Sequence, residues 1–436
     1  MIKWTQTFKS DMEHIISLIG MIALLGIAYL MSNNRRKIKL RTVLVGTGIQ
    51  LSLGVLLLWW KPGSDAFKWL SSQVYAFLKL SQVGVDFLFG ELGKPENTAI
   101  YGTQLALIIA STIIFFSAFM ALLYYLGVMQ FIIEQMARFM RWAMRTSGAE
   151  SLSCSANVFV GMTEAPLLIR PFLDDMTRSE LHAVMVGGFA TIAGSMMFTY
   201  MSLGIAAPHL IAASVMSAPA ALVISKIIFP ETEHSRTAGD ARIPKIKLYD
   251  NALDAVARGT TDGMRLAVNV IAMLISFLAL LALADVILGW FDTLIDGKIL
   301  GGAFIEGRGY KGIFPSNLKI FFGTIFSPLA FLMGVPWSEA GAVGNLLGMK
   351  IAANEFVGYL KLSQLVAGGQ LSERSITIAT YALCGFANFG SIGITIGGIG
   401  ALAPKRRSEL ARMGLKAMFG GALASWMTAT IAGMLI

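Results

Sequence analysis

Two related segments, GFATIAGS at residues 188–195 and GFANFGS at residues 385–391, decide how this chain folds. Each lies inside a long uncharged run, and each follows an interrupted stretch that holds a carboxylate, Glu164 or Glu355. Backbone polar groups cannot stay unpaired in hydrocarbon, so a helix broken at glycine must face a ligand, an ion or water. Close helix packing explains one isolated glycine motif. Duplication in matched surroundings instead predicts an inverted-topology repeat, which is typical of secondary transporters.

The composition is that of a membrane protein. The chain has 436 residues, 55% hydrophobic and 14% charged, with a mean hydropathy of +0.67, whereas soluble proteins carry about 25% charged residues. We predict an all-α polytopic fold with eight transmembrane helices, because eight apolar runs reach the roughly 17 to 25 residues that span a bilayer. These runs are 15–31, 43–60, 105–129, 183–207, 210–228, 266–288, 375–403 and 417–436.

The positive charges indicate how these spans are oriented. The formal net charge is +9, and Lys and Arg of polytopic proteins collect in cytoplasmic loops, so the surplus does not indicate nucleic-acid binding. Basic residues cluster at 35–41, 131–145 and 405–407 and in the loop after residue 228. All four basic clusters lie on the cytoplasmic side of the membrane under two conditions. Both termini must be extracytoplasmic, and stretches 151–169 and 337–360 must each enter and leave the membrane on the same side. We therefore predict two opposed re-entrant helical hairpins.

This interpretation divides the chain into four segments. Residues 1–130 form a scaffold region with the first three spans and an interfacial segment. Residues 131–228 form the first repeat of a transport region, with an interfacial helix, a hairpin, a broken helix and a closing helix. Residues 229–316 hold a cytoplasmic loop, the sixth span and an external loop. Residues 317–436 form the second repeat, with its hairpin, broken helix and last helix.

Four segments resemble the concentrative nucleoside transporter family, and the resemblance runs from about residue 105 to the C-terminus. They are GMTEAPLLI at 161–169, GGFATIAGS at 187–195, NEFV at 354–357 and GFAN at 385–388. The resemblance implies a bacterial sodium/nucleoside symporter, such as a uridine transporter, in the inner membrane. It also implies a homotrimer in which each transport region carries nucleoside across the bilayer by an elevator-type movement.

The resemblance also implies which residues hold the substrate. The base would lie against Gly161, Met162, Thr163, Glu164 and Met196, and the ribose against Glu355, Phe386, Asn388 and Ser391. Carboxylate and amide groups can recognise sugar hydroxyls and reject analogues that lack them.

Two positions depart from the family. Met162 stands where members often have glutamine, so we expect one base hydrogen bond to be lost or moved, because a thioether is a weak acceptor. Gly390 stands where many members have serine, which removes one hydroxyl near the ribose. We expect the sugar contacts to preserve nucleoside recognition.

The family's sodium site implies four more residues, between the first hairpin tip and the break in the next span. They are Asn157, Val160, Thr191 and Ile192, which offer two side chains and four carbonyls. A hard cation prefers such oxygen ligands. No organic cofactor is implied. Proton coupling is the alternative, with Glu164 or Glu355 as the protonatable group.

A membrane-embedded metal-dependent transferase is the alternative from another class. Asp174 and Asp175 resemble one of the acidic pairs that hold magnesium in membrane prenyltransferases, but no second pair lies at a matching position. The sequence also lacks the His-Glu-x-x-His and Gly-x-Ser-x-Gly motifs of zinc proteases and serine hydrolases. We therefore expect a transporter without enzymatic activity.

Overall fold

The computed structural model describes residues 2–94, 97–102, 104–237, 249–307 and 309–436. Within these ranges the chain is almost entirely helical, as predicted, and one short β-hairpin is its only sheet. Parts of three predicted loops, residues 95–96, 238–248 and 308, lie outside the described residues.

Seven helices precede the first repeat: α1 (Ile2–Leu30), α2 (Leu40–Gly54), α3 (Lys61–Leu78), α4 (Ser81–Phe89), α5 (Thr98–Tyr101), α6 (Leu105–Tyr125) and α7 (Val128–Met144). The first repeat holds α8 (Gly148–Ala156), a 3₁₀ helix (Ala165–Asp175), α9 (Arg178–Ala190), α10 (Gly194–Ser202) and α11 (Ala207–Ile228). Then come α12 (Ala252–Asp292), the antiparallel strands β1 (Phe304–Ile305) and β2 (Gly309–Tyr310), and α13 (Leu318–Leu332). The second repeat holds α14 (Trp337–Ala352), α15 (Glu355–Ala367), α16 (Glu373–Leu383), α17 (Phe389–Leu402) and α18 (Arg407–Leu435).

The helices agree with the apolar runs in most places. In the described part of the chain, seven helices are long and apolar enough to cross a membrane, and α13 with α14, bent by 116°, makes an eighth candidate. The predicted run 375–403 is divided into α16 and α17, in keeping with the broken helix predicted for the second repeat. The number of eight spans, with two re-entrant hairpins beside them, therefore stays a prediction.

The sixth predicted span is much longer than the run 266–288, because α12 begins at Ala252. Its first part packs against α6 through Gly259 and Gly263. A Cβ atom at Gly259 would lie 2.7 Å from the Ala121 side chain, and one at Gly263 would lie 2.8 Å from the Ile114 backbone. Small residues at four-residue spacing let two helix backbones approach this closely.

Local polar groups fix the ends of the first repeat. Capping boxes start α8 at Ser147 and α9 at Thr177, with Glu150 and Glu180 as their reciprocal acceptors. The buried Glu150 carboxylate also lies 2.6 Å from the Lys226 ammonium at the end of α11. The hairpin, the broken helix and the closing helix are thus held together at one end.

The two related glycine segments adopt different conformations. In the first repeat GFA ends helix α9, and the break follows at residues 191–193. In the second repeat α16 ends earlier, so Gly385 lies in the break itself with a φ of +109°. A Cβ atom there would lie 2.5 Å from the Phe189 carbonyl oxygen. The two breaks therefore meet backbone to backbone, and the Ser425 hydroxyl donates to the Cys384 carbonyl beside them.

The first two spans contact the closing helices of both repeats. Gln50 Nε2 of α2 donates to the Met216 carbonyl of α11 and to Thr428 Oγ1 of α18, each at 3.1 Å. By contrast, α6 packs along α12. The proposed boundary at residue 130 falls inside the first turn of α7, which begins at Val128.

Candidate functional site

A cavity of about 840 Å³ lies between the two repeats and the α6–α12 pair. Its repeat side is formed by the first hairpin tip, the start of α15 and the broken helices. Its other wall includes Phe116 of α6 and Leu266, Asn269 and Met273 of α12. All nine residues that the sequence predicted as substrate contacts line this cavity: Gly161, Met162, Thr163, Glu164, Met196, Glu355, Phe386, Asn388 and Ser391.

The first hairpin tip forms the part of the cavity assigned to the base. The side chain of Met162 packs over Gly188 of α9, where a Cβ atom would lie 2.8 Å from Met162 Cβ. Its sulfur accepts a hydrogen bond from the Thr395 hydroxyl at 3.1 Å. The Glu164 carboxylate folds back over Gly161, so that a side chain at position 161 would collide with it. The tip thus offers the cavity a carboxylate and a hydroxyl, from Glu164 and Thr163.

The second repeat forms the part assigned to the ribose. Glu355 begins α15 directly after Asn354, whose side chain caps the helix by accepting from the Val357 N–H at 3.0 Å. Glu355 Oε1 accepts from the Tyr200 hydroxyl at 2.9 Å, and Oε2 accepts from Asn388 Nδ2 at 3.4 Å. These bonds hold a nearly buried carboxylate at the cavity wall, where its remaining lone pairs can accept from sugar hydroxyls.

Asn388 has two tasks in this arrangement. Its Oδ1 accepts from the Ser391 N–H at 2.9 Å and so caps the N-terminus of α17, while its Nδ2 donates to Glu355. A helix N-terminus carries free N–H groups and a positive dipole end. The cap, the carboxylate and the Ser391 hydroxyl therefore present donors and acceptors side by side.

The residues predicted to bind sodium lie behind the first hairpin tip. Asn157 caps the end of α8, and Thr191 ends α9. The hairpin meets the break between these residues, because the Gly194 N–H donates to the Phe159 carbonyl at 3.0 Å. Val160 also lines the cavity, and Ile192 is fully buried in the break.

The side-chain oxygen of Asn157 is unpaired in the described part of the chain. Its Nδ2 donates to the Ser153 carbonyl at 3.0 Å. Its Oδ1 is buried and has no hydrogen-bond partner among the described residues. Buried polar atoms are rarely left unpaired, so this oxygen fits a cation ligand. The Thr191 hydroxyl donates to the Gly187 carbonyl at 2.9 Å, and its oxygen can still accept or coordinate.

Two side chains of the site were not predicted from the sequence. Tyr200 donates to Glu355, and Thr395 donates to Met162. Both follow a predicted site residue by four positions, since Tyr200 follows Met196 and Thr395 follows Ser391. Residues four apart lie on the same face of a helix, so this spacing was the available signal.

The acidic pair considered for a transferase has another explanation. The Asp175 carboxylate forms an exposed ion pair with the Arg236 guanidinium at 2.9 Å. In the part of the chain that the structure describes, no three His, Cys, Asp or Glu side chains come together as a metal site.

Comparison with known proteins identifies the family. Residues 209–433 match the family model described as the C-terminal part of Na+ dependent nucleoside transporters, residues 19–92 match its N-terminal part, and residues 106–207 match a model described as nucleoside recognition. An uncharacterized transporter of Bacillus subtilis is 42% identical over 420 residues, covering 96% of this chain and 98% of the relative. The sodium/nucleoside cotransporter 1 of Rattus norvegicus is 41% identical over 438 residues, covering 97% of this chain and 64% of the relative.

Solved structures of similar fold indicate the same family. CNTnw in an inward-facing, substrate-bound state superposes with a TM-score of 0.87 at 41% identity, with 97% of each chain covered. A substituted form of CNTnw in an outward-facing state superposes with a TM-score of 0.90 at 40% identity, covering 98% of this chain and 99% of that one.

The fold and the cavity define a multi-pass membrane transporter, not an enzyme. The chain belongs to the concentrative nucleoside transporter family, whose model description names both the nucleoside substrate and the dependence on sodium. Its bacterial relatives make it a protein of the inner membrane. The transferase alternative is therefore wrong.

Proposed function

We propose that this chain imports nucleosides by symport with sodium, through an elevator-type movement of its two repeats. The observation that carries the proposal is the one cavity lined by all nine predicted substrate residues. The tip of the first hairpin would face the base, and Glu355, Asn388 and Ser391 would hold the ribose. Uridine is the substrate that we would test first.

Sodium is the second substrate in this proposal. Asn157 Oδ1, Thr191 Oγ1 and the carbonyls of residues 157, 160, 191 and 192 would hold it between the hairpin tip and the break. The unpaired Asn157 oxygen supports this assignment. An ion there would order the tip that touches the base, so that sodium and nucleoside raise each other's affinity by the same factor.

The elevator proposal needs a moving body and a fixed one. The hairpins and broken helices of residues 131–228 and 317–436 would move together, since their two breaks are in contact. The α6–α12 pair would stay in place and form the other cavity wall. The contacts of α1 and α2 with α11 and α18 favour a moving body larger than the predicted transport region.

The homotrimer and the orientation are proposals as well. The most apolar stretch of α12 is not buried within one chain, and the helix is long and apolar enough to cross a membrane. Such a surface suits contact with lipid and with neighbouring copies. Extracytoplasmic termini would keep the basic segments 35–41 and 405–407 on the cytoplasmic side.

Uptake into proteoliposomes tests the coupling ion. Purified protein is reconstituted, and the uptake of radiolabelled uridine is compared under inward gradients of NaCl and of choline chloride, each at two external pH values. We expect uptake to require sodium and to be insensitive to the pH gradient. Uptake in choline that follows the proton gradient would reject sodium coupling and favour the proton alternative.

Replacement of Asn157 by alanine should weaken the dependence on sodium. Removing one oxygen ligand should raise the half-saturating sodium concentration by about tenfold or more, since a lost interaction with a charged group costs about 1.5–3 kcal/mol. Uptake at saturating sodium should fall less. Asn345→Ala is the matched control, because Asn345 Oδ1 is also buried without a hydrogen-bond partner in the described chain but lies in α14. Equal sodium curves for both variants would contradict the site.

Replacement of Met162 by glutamine should change which bases are preferred. Glutamine brings a donor and an acceptor to a position where the sulfur accepts a hydrogen bond from Thr395. Competition of a nucleoside panel against labelled uridine should therefore give a new order of purines and pyrimidines. The discrimination between ribose and deoxyribose serves as the internal control and should stay the same. An unchanged base order would show that residue 162 does not read the base.

A further inference from the structure

The second hairpin carries a buried lysine outside the site described so far. Lys350 lies in the last turn of α14 and is fully buried. Its Nζ donates to the carbonyls of Ala382 and Cys384, at 2.9 Å each. These carbonyls belong to the end of α16, where the broken helix is interrupted. An ammonium group thus neutralises the negative end of this half-helix.

The corresponding place in the first repeat is the proposed sodium site. Helices α8 and α14 are the first arms of the two hairpins, and α9 and α16 are the first halves of the two broken helices. Asn157 ends α8 beside α9, where a Cβ atom at Gly187 would lie 3.3 Å from its Nδ2. Each hairpin therefore places one polar group beside the end of the first half of the broken helix in the same repeat. In the first repeat that group is an unpaired oxygen, and in the second it is the Lys350 ammonium.

The break that Lys350 contacts positions the ribose groups. Asn388 follows Cys384 by four residues and caps α17. Glu355 follows Lys350 by five residues and bonds to Asn388. Lys350 thus connects the arm that leads to Glu355 with the break that leads to Asn388, although it does not line the cavity itself.

We propose that Lys350 is a built-in cation that does for the second repeat what sodium does for the first. It is a positioning residue, because it acts on the ribose through Glu355 and Asn388. The inference rests on the proposed sodium site between Asn157 and Thr191. The groups that hold the ribose are then in position with or without sodium, and only the groups that face the base depend on the sodium ion.

Two substitutions test whether the charge at this place can be exchanged for an ion. Lys350→Met keeps the bulk of the side chain and offers no charge and no oxygen, whereas Lys350→Asn supplies an oxygen like that of Asn157. Uridine binding to the purified full-length protein is titrated over a series of NaCl concentrations, with choline chloride keeping the ionic strength constant. Lys361→Met is the control, because Lys361 lies on the other arm of the same hairpin and bonds only to Gln364 in the described chain.

We expect Lys350→Met to lower uridine affinity about tenfold or more at every sodium concentration, since two charge-assisted hydrogen bonds are lost. Lys350→Asn should bind as weakly at low sodium and recover as sodium rises. Its Hill coefficient for sodium should increase from about one to about two, because a second ion now binds. Lys361→Met should behave like the unmodified protein.

Three results would overturn the proposal. One is an affinity for Lys350→Met equal to that of Lys361→Met, and another is the same sodium response for Lys350→Asn and Lys350→Met. If neither Lys350 variant folds, the ratio of labelled sodium to labelled uridine entering proteoliposomes with the unmodified protein decides. We expect one ion per nucleoside. Two ions per nucleoside would be the third contrary result, because the second repeat would then bind an ion of its own.

Sodium-independent uptake by the unmodified protein would instead reject the proposed function. In that case the comparison of Lys350→Met with Lys361→Met would still test the role of Lys350.

Discussion

Glu355→Gln is expected to reduce nucleoside uptake at least about 100-fold, because one hydrogen bond to a protein donor and one to a ribose hydroxyl would be lost, each charge-assisted and worth about 1.5–3 kcal/mol. The Glu355 carboxylate already accepts from the Tyr200 hydroxyl and from Asn388 Nδ2. A glutamine amide would direct N–H groups at one of these donors and would leave fewer lone pairs for the ribose hydroxyls. The measurement is the initial rate of uridine uptake into proteoliposomes, together with the dissociation constant of uridine.

The control for this variant is Glu339→Gln in the same hairpin. The Glu339 carboxylate accepts from the backbone and hydroxyl of Ser372 at the other end of α14. Uptake by Glu339→Gln should stay within about twofold of the unmodified rate, as expected for a half-buried position that does not line the cavity. A sodium-dependent thermal shift of Glu355→Gln would show that the variant is folded. Full uptake by Glu355→Gln would refute its role in holding the sugar.

Gly385→Ala is expected to destabilise the protein by about 2–6 kcal/mol, from backbone strain together with steric overpacking. Residue 385 has a φ of +109°, and a Cβ atom there would lie 2.5 Å from the Phe189 oxygen and 2.8 Å from the Ala190 oxygen. Neither carbonyl can withdraw without moving the end of α9. The variant should therefore lose thermal stability in detergent and most of its uptake.

Gly393→Ala is the matched control for this substitution. Gly393 lies in α17, and a Cβ atom at this position would have nothing within 4 Å. Alanine also favours the helix by about 1 kcal/mol over glycine, so this variant should be as stable as the unmodified protein or slightly more so. Gly385→Ala with an unchanged melting temperature would contradict the contact between the two breaks.

The sequence predicted those features that depend on local pattern. Apolar runs and glycine-rich interruptions are consequences of the bilayer, which allows neither charges nor unpaired backbone groups. They therefore predicted the helical fold and the two interrupted regions. The resemblance to a family supplied the nine positions that line one cavity, and their separate roles remain proposals.

The features that were missed depend on contacts between distant parts of the chain. Tyr200 and Glu355 are 155 residues apart, and no local sequence pattern predicts their hydrogen bond. The sequence GFA is helical at 188–190 but lies in the helix break at 385–387. The same three residues differ because tertiary contacts decide their conformation. The length of α12 was also missed, since its first turns are polar and only their packing on α6 explains them.

The contact of Gly259 and Gly263 with α6 constrains which substitutions this chain can accept. Where two backbones touch, neither helix accepts a larger residue unless its partner retreats, so the seam tolerates few substitutions on either side. The wall that it builds is therefore stiff and keeps its shape. We therefore expect substitutions that alter nucleoside preference to be tolerated mainly on the opposite wall, at positions such as Met162.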